Sequence, residues 1–263
     1  MPPKRKAEEI EAELQQQTEV AKRLKESVDT VASELMCAIS HELPVDPVTA
    51  EDGQVYERSA IEAWIARPGV LKSPKLNTPM GPRLFPSTQA RNIIEQMVRS
   101  GAISGPKADA WAKKLAAEKV VKEVVRMAAN GDAEAMCELG LYYYDGEMGL
   151  AVDYKQAADW FQRGDDLGHA TCSAMLGRCY EEGCGVEKDE VYSLCLYGIA
   201  AARGSELGCH NLAAQLSAGR CGARTNARAA TRWYRAMERA TVRDAFDLAR
   251  DSAAEWLRKH AVE

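Results

Sequence analysis

Leu35-Met36-Cys37-Ala38-Ile39-Ser40-His41-Glu42-Leu43-Pro44-Val45-Asp46-Pro47-Val48 is where the character of this sequence changes, and its reading decides the fold. Upstream, residues 7–35 are rich in Glu, Lys, Gln and Ala and contain neither Gly nor Pro, which predicts one long helix. From 35 to 86 seven prolines interrupt helical periodicity, so a small mixed domain is expected. Asp52-Gly53 lies between the β-prone pairs Val48-Thr49 and Val55-Tyr56, predicting a hairpin with a type I′ turn whose Gly accepts a positive φ. Arg58-Ser59-Ala60-Ile61-Glu62-Ala63-Trp64-Ile65 then reads as a helix, with Ser59 and Glu62 at capping-box spacing and Ile61, Trp64 and Ile65 on one face. A proline-rich loop over 72–86 leads to a last helix over 90–99, whose Ile93, Ile94 and Met97 are expected in the core.

The upstream helix carries an apolar stripe at Ile10, Leu14, Ala21, Leu24, Val28, Val31 and Leu35, with Gln17 filling the remaining place of an alternating four-three spacing. That is a heptad seam, so the helix either dimerises as a coiled coil or lies as a single amphipathic helix on the protein's own body.

Downstream of a linker from Gly101 to Gly105 the chain is strongly helical and repetitive. Gly131, Gly168 and Gly204 recur at intervals of 37 and 36 residues, within the range of helix-pair solenoids. Leu139, Leu176 and Leu212 move in step, as do Gly146, Gly183 and Gly219, then Asp153, Asp189 and Asn226. The pairs Trp160-Phe161, Leu196-Tyr197 and Trp233-Tyr234 close each unit. Each unit reads as helix, Gly-containing loop, helix, with the Asp or Asn as N-cap of the second helix and the aromatic pair packed between units. Units this short cannot bury an apolar face alone and must stack. The expected organisation is a helix over 1–34, the mixed domain over 35–100, a linker and capping helix over 101–130, the solenoid over 131–240 and a C-terminal capping helix over 241–263. The fold class is mainly α, with one small α+β domain.

At 263 residues and 46% hydrophobic content the chain can bury two compact cores. Its net charge of −5 argues against nucleic acid or an anionic membrane as partner, since both attract basic surfaces. The Met1-Pro2-Pro3-Lys4-Arg5-Lys6 start lacks the apolar run of a secretory signal, so a cytoplasmic protein is expected. The Lys4-Arg5-Lys6 cluster is either a nuclear import signal or a solvated tail. Eight cysteines are scattered without C-x-x-C pairs and read as reduced, mostly buried thiols. His41, His169, His210 and His260 are too dispersed along the chain for a metal or triad constellation, and Asp165-Asp166 and Glu181-Glu182 read as solvated helix ends. No cofactor is expected.

The run from Leu35 to Val48 resembles the opening of the U-box family, whose pattern is Cys-Pro-Ile followed by Asp-Pro-Val. The likeness continues through Gly53-Gln54-Val55-Tyr56-Glu57-Arg58 and the helix to Ile65, then Ser73-Pro74-Lys75-Leu76-Asn77-Thr78-Pro79-Met80, Leu84-Phe85-Pro86 and Arg91-Asn92-Ile93-Ile94-Glu95. The unit from Ala170 to Arg203, with Leu176-Gly177, Tyr180 and Gly183-Cys184-Gly185-Val186-Glu187-Lys188-Asp189, resembles Sel1-like repeats, helix-pair scaffolds that bind proteins.

The U-box resemblance implies a zinc-free relative of the RING finger, in which hydrogen bonds and salt bridges replace the metal; Asp46, Glu57 and Arg58 are the expected participants. It implies an E3 ubiquitin ligase that docks a ubiquitin-charged E2 enzyme through Ile39 and His41 in a first loop, Trp64 on the central helix, and Pro74 and Asn77 in a second loop. Ubiquitin would pass from the E2 directly to a substrate lysine, with no nucleophile on this chain and the substrate held by the repeats. The alternative is a non-catalytic adaptor with a weakened U-box. Two departures bear on this choice: Ala38 replaces the usual proline, and Asn77 stands where many active U-boxes carry an arginine that bridges E2 and ubiquitin.

Overall fold

In the computed structural model of the chain, residues 3–69, 71–220, 225–244 and 247–260 are described, with side chains from 11 onward. Cys221, the Ile10 side chain, the side chains of Lys4 to Lys6 and residues 261–263 of the expected C-terminal cap lie outside them. The chain divides into two compact units, Met1–Ala116 and Ala117–Glu263.

The first unit begins with α1 (Pro3–Leu35). Leu14 and Leu24 of its stripe are more than 60% exposed and Val31 is 42% exposed, while Leu35 packs on the mixed domain, so only the end of the stripe lies on the unit's own body. The mixed domain follows as β1 (Pro47–Ala50), β2 (Val55–Glu57), α2 (Arg58–Ile65), β3 (Leu84–Pro86) and α3 (Thr88–Arg99). The strands form one antiparallel sheet in the order β2-β1-β3, with Val48 opposite both Tyr56 and Pro86. β3 arises where the sequence reads only as loop. Pro86 cannot donate to a ladder, and an edge strand is where that defect is tolerated.

Three local expectations are corrected. The hairpin does not turn through a two-residue type I′ loop: Gly53 N–H donates to Ala50 C=O at 2.9 Å and Ala50 N–H to Gln54 C=O at 3.0 Å, with Gly53 at φ 75°. That is a three-residue connection closed by a left-handed Gly, the next commonest hairpin geometry. The capping box at Ser59 and Glu62 is replaced by Glu57 at the N-cap position, with no side-chain cap bond. On α3, Ile94 is fully buried while Ile93 is exposed, because neighbours on a helix point about 100° apart.

Cys37, Val48, Ala50, Tyr56 and Ile61 form the central core of this domain. A second cluster gathers Leu43, Val45 and Ile94 with Trp111 and Leu115 from α4 (Pro106–Ala129), and Trp111 Nε1 donates to Pro44 C=O at 3.0 Å. The front half of α4, read from sequence as linker and solenoid cap, therefore packs on the mixed domain.

The second unit is a stack of helices: α5 (Ala133–Asp145), α6 (Tyr154–Asp166), α7 (Ala170–Glu182), α8 (Glu190–Ala202), α9 (Glu206–Ala218), α10 (Ala227–Met237) and α11 (Asp247–His260). The periodic landmarks take the positions their chemistry suits. Asp153, Asp189 and Asn226 cap α6, α8 and α10, accepting backbone N–H bonds of the first turn. Gly183, at φ 77°, ends α7 in the left-handed conformation and donates its N–H to Cys179 C=O at 2.8 Å. Phe161 and Tyr197 are fully buried and Tyr234 nearly so. A Cβ on Gly177 would stand 2.9 Å from the Tyr197 ring, so that glycine sets how closely α7 and α8 approach.

Asp166 is an exposed helix end as expected, but Asp165, Glu181 and Glu182 are tied to other side chains. Glu181 accepts from Tyr197 Oη at 2.7 Å, Gln215 at 2.6 Å and Arg220 at 3.0 Å; Glu182 accepts from Tyr144 Oη at 2.7 Å and Arg178 at 2.8 Å. Asp165 pairs with Arg203 and accepts from Ser173 at 2.6 Å. Arg178 and Glu182 are four residues apart on α7, but the other bonds join residues of different helices or repeats, a placement that only stacking creates. The C-terminal segment also departs from expectation, because 241–244 is extended before α11 starts. Val242 N–H donates to Gly204 C=O at 2.9 Å and Val242 C=O accepts from Glu206 N–H at 3.0 Å, so this segment satisfies backbone groups at the start of α9.

Candidate functional site

The mixed domain presents two loops with one hydrogen-bond plan. In the first, Cys37 N–H donates to Glu42 C=O at 3.0 Å and His41 N–H to Cys37 C=O at 2.9 Å. In the second, Ser73 N–H donates to Thr78 C=O at 2.8 Å and Asn77 N–H to Ser73 C=O at 3.0 Å. The fifth residue of each loop, His41 or Asn77, is exposed and stands at φ 57°. Asn tolerates this left-handed conformation better than most L-residues, which gives Asn77 a conformational role as well as a chemical one. Ala38 and Pro74 occupy the same place in the two loops, and so do the two buried residues at the loop starts, Cys37 and Ser73.

Side-chain bonds hold the second loop in place. Ser73 Oγ donates to Asp52 Oδ2 at 2.5 Å and accepts from Leu76 N–H at 2.8 Å and Lys75 N–H at 3.2 Å. Tyr56 Oη donates to the same Asp52 oxygen at 2.8 Å. Burial, reinforced by Asp52, pushes the Tyr56 hydroxyl up to about 12, so it stays protonated and able to donate at physiological pH. The sequence shows Asp52 only as a turn residue; its partners Tyr56 and Ser73 become visible once the hairpin faces the second loop.

The sequence-derived trio Asp46, Glu57 and Arg58 comes together on the other side of the hairpin. Glu57 Oε2 accepts from Val45 N–H at 2.7 Å, its Oε1 accepts from Asp46 N–H at 3.3 Å, and Arg58 Nε donates to Asp46 Oδ2 at 2.6 Å. The hydrogen bond to Asp46 raises the Arg58 pKa above its ordinary value. Both Arg58 and Asp46 side chains are about a third or more exposed, so solvent screens that ion pair to below about 1 kcal/mol. The Glu57 bonds to buried backbone are the stronger tie, at about 1.5–3 kcal/mol for a charged acceptor.

Trp64 is half-buried and works at the loops' junction. Its indole Nε1 donates to Lys72 C=O at 2.9 Å, two residues before Pro74, while its ring joins Ala38 and Ile39 in packing against the central core. Arg67 lies over the ring at 4.6 Å. Ile39 and Pro74 are half-buried, and Leu76 beside them is 50% exposed. The site is thus an apolar, partly exposed surface fixed by backbone and carboxylate hydrogen bonds. Cys37 is fully buried, which keeps its thiol from acting as a nucleophile.

Residues 31–103 match the U-box domain family, and residues 133–169, 170–205 and 207–237 each match the Sel1 repeat. The chain is 34% identical over 86 residues to U-box domain-containing protein 17 of Arabidopsis thaliana, covering 32% of this chain and 12% of that protein. It is 40% identical over 58 residues to the ERAD-associated E3 ubiquitin-protein ligase component HRD3A of Arabidopsis thaliana, covering 22% of this chain and 9% of that protein. The chain thus spans only about a tenth of the length of the curated relatives it matches. The crystal structure of a Sel1 repeat protein from Oxalobacter formigenes superposes at 26% identity with a TM-score of 0.42, covering 52% of this chain and 99% of that one. Residues 31–103 of this chain are therefore a U-box domain, and residues 133–237 are three Sel1 repeats.

Proposed function

We propose that the protein is an E3 ubiquitin ligase that docks a ubiquitin-charged E2 on the surface formed by Ile39, His41, Trp64, Pro74 and Asn77. The observation that carries this reading is Trp64, which packs, like the first loop's Ile39, against the domain's central core while its indole donates to Lys72 C=O before the second loop. An exposed apolar surface braced this way is preorganised for a protein partner. Asp52, Tyr56 and Ser73, with Asp46, Glu57 and Arg58, fix its shape.

The chemistry asked of this chain is positioning. The E2 cysteine carries the ubiquitin thioester, a substrate lysine amine attacks it, and the ligase raises the effective concentration of one beside the other. No covalent intermediate forms on this chain. The Sel1 repeats hold the substrate. Their basic face, where Arg228, Arg232 and Arg235 of α10 and Arg239 just after it meet Lys259 and His260 of α11 around an open cavity of about 810 Å³, favours an acidic segment. The exposed seam of α1 favours a homodimer. The organisation is an N-terminal helix, the U-box, the repeats and a terminal cap, in the cytoplasm or nucleus.

The test is reconstitution of the full chain with E1, a panel of E2 enzymes, ubiquitin and ATP. Chain formation that falls at least about tenfold in Ile39→Ala, the loss expected for one buried apolar contact, supports the ligase. Asn77, uncharged where an arginine would bridge E2 and ubiquitin, supports the adaptor as a second reading. Silence with every E2, together with retained partner capture by the repeats, would decide for it.

A further inference from the structure

Two cysteines and one histidine that stand far apart in the sequence meet in the repeats. Cys137 lies on α5, Cys172 on α7, and His169 is the N-cap of α7. Their sulfur atoms and one imidazole nitrogen lie within 4.8 Å of one another, with both cysteines buried and the histidine half-buried. The dispersal of His and Cys in the sequence hides this cluster: Cys137 and Cys172 are 35 residues apart, about one repeat, and stacking removes that distance.

We propose that Cys137, His169 and Cys172 form a Zn²⁺ site that staples the first Sel1 repeat to the second, with the Glu134 carboxylate as fourth ligand. Two thiolates and an imidazole are the soft S₂N donor set that selects zinc over magnesium or calcium. With Zn–S of about 2.3 Å and Zn–N of about 2.0 Å, the edges of a tetrahedral site are roughly 3.3–3.8 Å, so the donors need to close in by about an ångström. Glu134 lies at the solvent side, its Oε2 3.0 Å from His169 Nε2, near the N···O edge such a site requires. Its side chain is 84% exposed and is free to swing onto the metal.

Two further observations fit the same site. The other repeat helices are capped by Asp132, Asp153, Asp189, Ser205 and Asn226, residue types that cap best. His169 caps α7 only through a 3.3 Å contact from Cys172 N–H to Nδ1, so a weaker cap occupies the one position beside two sulfurs. Gly164 leaves the room: a Cβ there would stand 2.3 Å from Cys172 Sγ.

The full chain, stripped with a chelator and kept under a phosphine reductant, is titrated with Co²⁺ and then with Zn²⁺. One Co²⁺ per chain is expected, with a thiolate-to-cobalt charge-transfer band of two-sulfur intensity and the visible bands of tetrahedral cobalt. Zn²⁺ is expected to displace it and to raise the melting midpoint. Cys137→Ala should weaken binding at least a hundredfold. Glu134→Gln, which removes the charged fourth ligand, should weaken binding, and by less than Cys137→Ala does. His169→Asn keeps a good helix cap, so a folded variant by circular dichroism that has lost the tetrahedral spectrum separates ligation from capping. Cys195→Ala, at an exposed cysteine on α8, should bind as the parent does. Absence of stoichiometric cobalt in the folded, reduced protein would overturn the proposal. So would an unchanged spectrum in Cys137→Ala, or a Cys137–Cys172 disulfide found by peptide mapping of the protein as isolated under reductant.

Discussion

Ser73→Ala isolates what holds the second U-box loop. Ser73 is 2% exposed, and its hydroxyl joins three groups: it donates to Asp52 at 2.5 Å and accepts from the N–H groups of Leu76 and Lys75. Lys75 and Leu76 are exposed, so water can take up their N–H groups at small cost. The charge-assisted bond to Asp52 cannot be replaced in this way, and its loss costs about 2–3 kcal/mol. At about 1.4 kcal/mol per decade that is roughly a 30- to 150-fold rise in the opening constant of the loop. Amide hydrogen exchange reads this directly, because Ser73 N–H and Asn77 N–H are locked only by bonds internal to this loop. Their protection should fall by that factor, while Cys37 N–H and His41 N–H in the twin loop keep theirs. A fall of less than threefold would refute the role given to Ser73. An equal loss in both loops would refute local opening, because the whole domain would then be unfolding together.

Three other perturbations probe separate parts of the molecule. Asn77→Arg should speed discharge of an E2–ubiquitin conjugate to free lysine by several fold, since a charge-assisted bond worth about 1.5–3 kcal/mol outweighs the ~1 kcal/mol an ordinary residue loses at φ 57°; single-turnover discharge assays measure it, with Asn77→Gly as the control for backbone conformation. Leu24→Glu, in the middle of the exposed α1 seam, should convert a dimer to the 28.8 kDa monomer in sedimentation equilibrium, and a parent protein that is already monomeric contradicts the seam's role. Glu206 is buried against Arg243 and Arg250; burial alone would raise its pKa, but the two guanidinium groups hold it below its ordinary 4.5. A depressed carboxylate stabilises the fold above its unfolded pKa and loses that contribution as pH falls through the folded one. The melting-midpoint gap between parent and Glu206→Gln should therefore be full above pH 4.5 and shrink below it.

Much of this protein is written in local chemistry. The loop glycines and the capping Asp and Asn residues of the repeats could be read from sequence because each acts within its own helix or turn, where spacing alone sets geometry. The U-box elements were legible for the same reason, from the Asp52-Gly53 turn to the helix that carries Trp64. Long-range partnership was not. Asp52 meets Ser73 across 21 residues, Trp64 ties down Lys72, and Glu181 links Tyr197 to Gln215 only because the elements between them fold back. The positive φ of His41 and Asn77 follows from closing two loops on buried Cys37 and Ser73, which no single-residue preference announces. Sequence by itself determined the two kinds of unit, their order and the absence of paired metal ligands in the U-box. Tertiary structure decided which polar atoms meet, and so which loop is braced by which carboxylate and where Cys137, His169 and Cys172 converge. Side chains from separate turns and repeats are brought within bonding distance by packing, a property of the whole fold and not of neighbouring residues.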